Sequence, residues 1–173
     1  MDNTPIGLTG RHTIDGRPRS VTAITPFLAL RDARAAARYY VDNLGATLVD
    51  STEMPGPDGE PVVVHADLDF GGAGRLQLGE ATPAYDTVPP PADGGACYSL
   101  GLYVPDVDAV VSRLVASGST LREGPQDFVS GDRFASVVDP FHVRWSIMSR
   151  VEDLSDAESS ARVAQWAATA ATA

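Results

Sequence analysis

The sequence has no lysine. Its 13 basic residues are all arginine, against 23 Asp and Glu, giving a formal net charge of −10 over 173 residues. That balance argues against nucleic acid and anionic membrane surfaces, which reward clustered positive charge. The missing lysine excludes Schiff-base, pyridoxal-phosphate and phosphate-loop chemistry that depends on it. Cys97 is the only cysteine, so neither an intrachain disulfide nor a cysteine-rich zinc site can form. In an apolar stretch it reads as a small core residue. No apolar run approaches the length of about 20 residues that spans a bilayer. Asp2, Arg11, Asp15 and Arg17 leave no apolar stretch for a signal peptide. A soluble, cytoplasmic protein is expected.

What is present is a repeat. Thr25-Pro26-Phe27-Leu28-Ala29-Leu30-Arg31-Asp32 is a short apolar run ending in Asp, followed by a helix-like stretch and Gly45-Ala46-Thr47-Leu48. Ser99-Leu100-Gly101-Leu102-Tyr103-Val104-Pro105-Asp106 repeats it, followed by Gly118-Ser119-Thr120-Leu121. Asp106 lies 74 residues after Asp32, and Gly118 lies 73 after Gly45. A duplicated strand–helix–strand unit commonly builds one site between its copies. Hydrophobic residues make up 43%, enough for a core in each.

Residues 1–20 read as an irregular lead-in. In the first module, 21–80, strands are expected at Val21–Leu30, Thr47–Thr52, Pro61–Phe70 and Arg75–Glu80. Asp32 can cap a helix over Ala33–Leu44, and Gly45 suits the residue after it. Gly71-Gly72-Ala73-Gly74 reads as a hairpin turn. Residues 81–96, with Pro89-Pro90-Pro91 and Gly94-Gly95, form a linker. The second module, 97–150, offers strands Cys97–Val104, Leu121–Val129, Phe134–Val138 and Val143–Ser149 around a helix over Val107–Ser117. In 151–173, Ser155 and Glu158 form a capping box that opens a C-terminal helix. Val163 and Trp166 make its docking stripe. The fold class is α+β: two tandem βαβββ modules forming a curled mixed sheet, or cup, with helices outside and an extra C-terminal helix.

These residues carry a resemblance. Thr25 to Asp32 followed by Tyr39-Tyr40, Leu44-Gly45-Ala46, Tyr103-Val104-Pro105-Asp106-Val107-Asp108, Gly131-Asp132-Arg133, and Asp139-Pro140-Phe141 leading into Trp145 stand in the order seen in one superfamily. The chain resembles the glyoxalase / bleomycin-resistance / extradiol-dioxygenase proteins of vicinal oxygen chelate chemistry, and most closely the glyoxalase-like subgroup. That subgroup ends in Asp-Pro-Phe-Gly-His; here His142 directly follows Phe141. The resemblance implies a cup that holds a divalent ion in metal-dependent members. Their four ligand positions fall on Thr25, Gln77, Ser99 and Ser146. Three hydroxyls and an amide are poor ligands where imidazole or carboxylate is wanted. No metal and no cofactor are therefore expected.

Strand alternation provides an independent check. In 62–70, Val62, Val64, Ala66, Leu68 and Phe70 oppose Val63, His65, Asp67 and Asp69. Leu76 and Leu78 oppose Arg75 and Gln77. Trp145 and Ile147 oppose Arg144, Ser146 and Met148. Each ligand-equivalent residue falls on the more polar face, the makeup of a small-molecule pocket. The candidate lining is Thr25, Phe27, His65, Gln77, Ser99, Tyr103, Arg144, Ser146 and Met148. His65 beside Asp67 reads as an acid–base pair or as a solvated pair; Arg144 reads as an anion contact or as a surface residue. His142 is expected to be exposed.

Three functions remain open at this point. The favoured one is a metal-free, sequestration-type binding protein. The second is a lyase, isomerase or dioxygenase-type enzyme using residual acid–base groups such as His65. The third is a dimeric interaction module with a vestigial pocket. The expected partners are a small-molecule ligand and a second copy in a homodimer, with no nucleic acid and no membrane.

Overall fold

The computed structural model describes residues 7–72, 74–93 and 95–170. Residues 1–6 of the lead-in, Ala73 of the glycine turn, Gly94 of the linker and 171–173 of the tail lie outside the described residues. The chain divides into two compact units, 1–89 and 90–173.

The first unit starts with a two-residue ladder, β1 (Thr13–Ile14) against β2 (Arg17–Pro18), within the segment expected to be irregular. Asp15 and Gly16 turn it at φ of 48° and 78°, the positive pair that tight hairpins use. Then come β3 (Phe27–Leu30), α1 (Ala33–Leu44), β4 (Thr47–Pro55), β5 (Pro61–Asp69) and β6 (Arg75–Glu80). The sheet order is β3-β6-β5-β4, with β3 parallel to β6 and the other pairs antiparallel.

Local chemistry sets the helix ends. The Asp32 carboxylate accepts the Ala35 N–H at 2.8 Å, and Gly45 closes the helix at φ 75°. Ala33, Ala36, Ala37, Tyr40 and Leu44 are buried on one stripe of α1. Leu28, Leu30, Leu68, Leu76 and Leu78 supply the sheet side of this core. The alanines let helix and sheet approach closely, and each buried leucine contributes about 1.5–3 kcal/mol.

Two expected strand features differ. The first strand starts at Phe27, not Val21, because Pro26 lacks an N–H and Thr22 turns its hydroxyl onto the Ile24 carbonyl at 2.8 Å. In β5 the alternation breaks. Thr52 faces His65 and Glu53 faces Val63, so Val64 is an extra residue in the ladder. Beyond that bulge Val63 is buried with Ala66 and Leu68, while Val62 and Val64 are half-buried. The Val64 carbonyl then crosses so near Gly79 that a Cβ there would clash with it.

The second unit has the same order: β7 (Leu100–Tyr103), α2 (Val107–Ala116), β8 (Thr120–Asp127), β9 (Asp132–Val138), β10 (Arg144–Arg150) and a C-terminal α3 (Asp156–Ala170). Its sheet runs β7-β10-β9-β8, with only β7 and β10 parallel. Asp106 caps α2 by accepting the Ala109 N–H at 2.9 Å. Val107, Val110, Val111 and Leu114 supply the helix side of a core completed by Ala135, Val137, Trp145 and Ile147. Cys97 precedes β7 and is exposed, not a core residue: the edge strand starts only at Leu100. The capping box is formed, with Ser155 N–H donating to Glu158 at 2.9 Å and Glu158 N–H to the Ser155 hydroxyl at 3.3 Å. Trp166 of α3 stacks edge-on to Phe128, with ring centroids 5.0 Å apart.

Candidate ligand-binding faces

In each unit one sheet face is covered by its helix, and the other carries the ligand-equivalent residues. On β3 and β6 of the first unit, Phe27 and Gln77 are register partners, and the Gln77 N–H donates to the Pro26 carbonyl at 2.8 Å. Thr25, just before β3, has its hydroxyl 3.4 Å from the Thr22 carbonyl. Phe27 is 46% exposed, so this apolar ring faces away from the core. Its ring centre lies 6.3 Å from that of His65. Gly79 makes room for this: a Cβ there would also lie 2.9 Å from the Phe27 ring.

His65 beside Asp67 reads from sequence as an acid–base pair or as a solvated pair; in the structure Asp67 turns to an arginine. Asp67 accepts from Arg75 at 3.1 Å, and Arg75 also faces Asp69 at 3.7 Å. The second Asp67 oxygen is buried without a hydrogen-bond partner. His65 instead sits against Phe27.

In the second unit, Ser99 and Ser146 come together. Their hydroxyls share a hydrogen bond of 2.9 Å. Tyr103 and Met148 are register partners. Tyr103 is 58% exposed and its hydroxyl donates to Asp132 at 3.4 Å. Met148 lies over Gly101, where a Cβ would lie 2.9 Å from its terminal methyl. Arg144 reaches Glu123 at only 4.0 Å, and its Nε is buried without a partner.

Ser136 belongs to this face and was not singled out from sequence. It pairs in register with Ser146, is 2% exposed, and its hydroxyl has no partner. The alternation of Phe134, Ser136 and Val138 against Ala135 and Val137 carried that signal.

Asp132 anchors the rim. Burial pushes its carboxyl up, but bonds from Arg150 at 2.7 Å, Ser130 at 2.8 Å and Tyr103 hold it below the ordinary range. Arg133 next to it forks onto Asp108 of α2, at 2.6 and 2.8 Å, and onto Asp127 of β8 at 2.9 Å.

The turn before β10 sets where Arg144, Ser146 and Met148 stand. Asp139, 3% exposed, accepts the N–H of Phe141 at 2.8 Å, of Val143 at 2.9 Å and the Trp145 indole N–H at 2.9 Å. His142 holds φ 66° and is half-buried, not exposed. It occupies the left-handed position that a glycine would take without strain. Burial, then the Asp139 charge, push the nearby Tyr98 hydroxyl up.

These donor sets do not suit a divalent ion. Ser99 and Ser146 spend hydrogen-bonding capacity on each other, and Thr25 and Gln77 bring neither charge nor imidazole. Among the described residues, no three His, Cys, Asp or Glu side chains cluster to hold one. No described helix is long and apolar enough to cross a membrane.

Two βαβββ units, each with a mixed four-stranded sheet, define the class of the fold. The pattern of the Glyoxalase/Bleomycin resistance protein/Dioxygenase superfamily matches residues 21–147, and the chain belongs to that family. An uncharacterised protein of Mycobacterium bovis, Mb0911c, is 33% identical over 135 residues, 76% of this chain and 86% of its own length. Among solved structures, TioX from Micromonospora sp. ML1 is similar at 26% identity and a TM-score of 0.57, covering 75% of this chain and 98% of TioX. PA1353 from Pseudomonas aeruginosa is similar at 25% identity and a TM-score of 0.58, with the same coverage.

Proposed function

We propose that this protein binds a small molecule without a metal ion and holds it unchanged, as a sequestration-type member of its family. One observation carries the reading: at the positions where the resemblance puts metal ligands stand Thr25, Gln77, Ser99 and Ser146, and the two serines bond to each other at 2.9 Å. Exposed Phe27 and Tyr103 give apolar surface beside polar anchors, a composition that suits an amphipathic organic ligand. An enzymatic role through His65 is less favoured because Asp67, its candidate partner, is committed to Arg75. We take the working form to be a cytoplasmic homodimer, with neither nucleic acid nor membrane as partner.

The test has two readouts. Native mass spectrometry after incubation with excess Zn²⁺, Ni²⁺, Mn²⁺ or Fe²⁺ is expected to show no retained ion. Equilibrium dialysis against a panel of amphipathic aromatic compounds is expected to identify a compound that is retained and recovered intact. Stoichiometric metal would overturn the metal-free reading. Chemical conversion of the compound, abolished in His65→Ala, would establish the enzyme instead. A panel with no retained compound would favour an interaction module.

A further inference from the structure

The first unit has a cavity of about 370 Å³ between segment 17–23 and the β5–β6 connection. Arg17, Arg19, Arg75, Ser20, Thr22 and Asp69 are in its wall. The three guanidinium groups are not equivalent. Arg75 is answered by Asp67 and Asp69. Asp69 is itself committed, with one oxygen to Arg75 and the other accepting the Gly72 N–H at 2.7 Å.

Among the described residues, Arg17 and Arg19 have no such answer. Arg17 donates to the Pro18 carbonyl at 3.3 Å and to the Val21 carbonyl, and Arg19 donates to the Gly10 carbonyl at 3.2 Å. Carbonyls orient a guanidinium group without cancelling its charge. Among the described residues, neither arginine forms an ion pair. Asp15, in the adjoining cavity that Arg17 also lines, accepts the Thr9 hydroxyl at 3.1 Å instead. A chain with 23 acids and 13 arginines has carboxylates to spare, yet two arginines facing one concavity lack one among the described residues. Each keeps N–H donors in the planar fork that suits oxyanions. The Ser20 and Thr22 hydroxyls stand beside them.

We propose that this cavity binds a small oxyanion, a phosphate, sulfate or carboxylate group, held by Arg17 and Arg19. The Thr22 hydroxyl lies 3.5 Å from that of Thr25, so the anion would sit next to the open face of the first unit. The inference does not depend on what that face binds.

The experiment is an NMR titration of the full-length protein with inorganic phosphate at constant ionic strength, set with sodium chloride. Saturable shifts are expected at the amides of Arg17, of 19–23 and of Gly72 and Gly74. Arg17→Gln combined with Arg19→Gln should weaken the apparent affinity by about ten-fold or more. Arg17 also tethers its own segment, so Arg19→Glu is the second variant; its side chain holds only the Gly10 carbonyl. It should keep the wild-type spectrum elsewhere and still lose the response. Arg11→Gln, a change at an exposed arginine absent from the cavity wall, should leave it intact. Linear, unsaturable shifts, or saturation that survives Arg19→Glu, would overturn the proposal.

Discussion

Asp139 shows how much one buried side chain can organise. It satisfies two backbone N–H groups and an indole N–H that would otherwise be orphaned in the interior. Leaving a buried donor unsatisfied costs about 1–3 kcal/mol, and bonds to a charged acceptor are the stronger kind. Asp139→Ala is therefore expected to destabilise the protein by about 3 kcal/mol or more, measured by urea unfolding; a loss below about 1 kcal/mol would show that the turn holds without it. His142, inside the same turn, works the other way. Its φ of 66° is strained for a residue with a Cβ. His142→Gly should raise stability by about 1 kcal/mol, relief of strain outweighing the extra freedom of glycine in the unfolded chain. An unchanged or lower unfolding midpoint would contradict that account. Both residues were visible in the sequence as parts of a motif. Which of them bore the strain was not, since that needs a backbone angle.

Elements differ in how plainly the sequence announces them. The helices were legible because their signals are local: Asp32 and Asp106 cap, Gly45 terminates, and Ser155 with Glu158 forms a reciprocal box. Strand faces were legible until a bulge intervened. One extra residue at Val64 exchanges the core role of Val62 for Val63, and no residue type marks it. Cys97 looked internal because apolar residues follow it, but an edge strand can start late, and the ladder begins at Leu100. At the rim of the second sheet, Asp132 of β9 joins Tyr103 of β7 and Arg150 of β10. Its carboxyl is held below its ordinary range in the folded state. A depressed folded value contributes stability that is present above the unfolded value and lost as pH falls through the folded one. The stability advantage of wild type over Asp132→Asn should therefore be constant near neutrality and shrink below about pH 4. Chemical denaturation at several pH values measures it, and a gap that stays constant into acid would refute the linkage.

At the scale of the whole molecule, the repeat is the organising fact, and the scaffold its copies share is separate from the side chains it carries. Both units keep the strand order, the Asp-capped helix and the apolar helix-side face. The ligand-equivalent positions remain on the opposite face, but as hydroxyls and an amide. If only side-chain chemistry stands between this chain and a metal site, then chemistry alone should restore one. Ser99 and Ser146 are the favourable place to try, since the hydroxyl of Ser99, just before β7, already lies 2.9 Å from that of Ser146 on the neighbouring β10. Two imidazoles on neighbouring segments can converge on one ion at ordinary zinc–nitrogen distances of about 2.0–2.1 Å. Both positions are half-buried or exposed, so the larger rings have room to turn outward. The double variant Ser99→His/Ser146→His is expected to bind Ni²⁺ or Zn²⁺ with micromolar affinity by isothermal titration, while wild type and each single variant bind far more weakly. Raising the pH from about 5 to 7 should strengthen binding, because only neutral imidazole is a ligand. If the folded double variant binds no better than the single variants, the strand geometry itself has departed from a metal-competent arrangement. The poor fit to a metal would then lie in the backbone rather than in two hydroxyls.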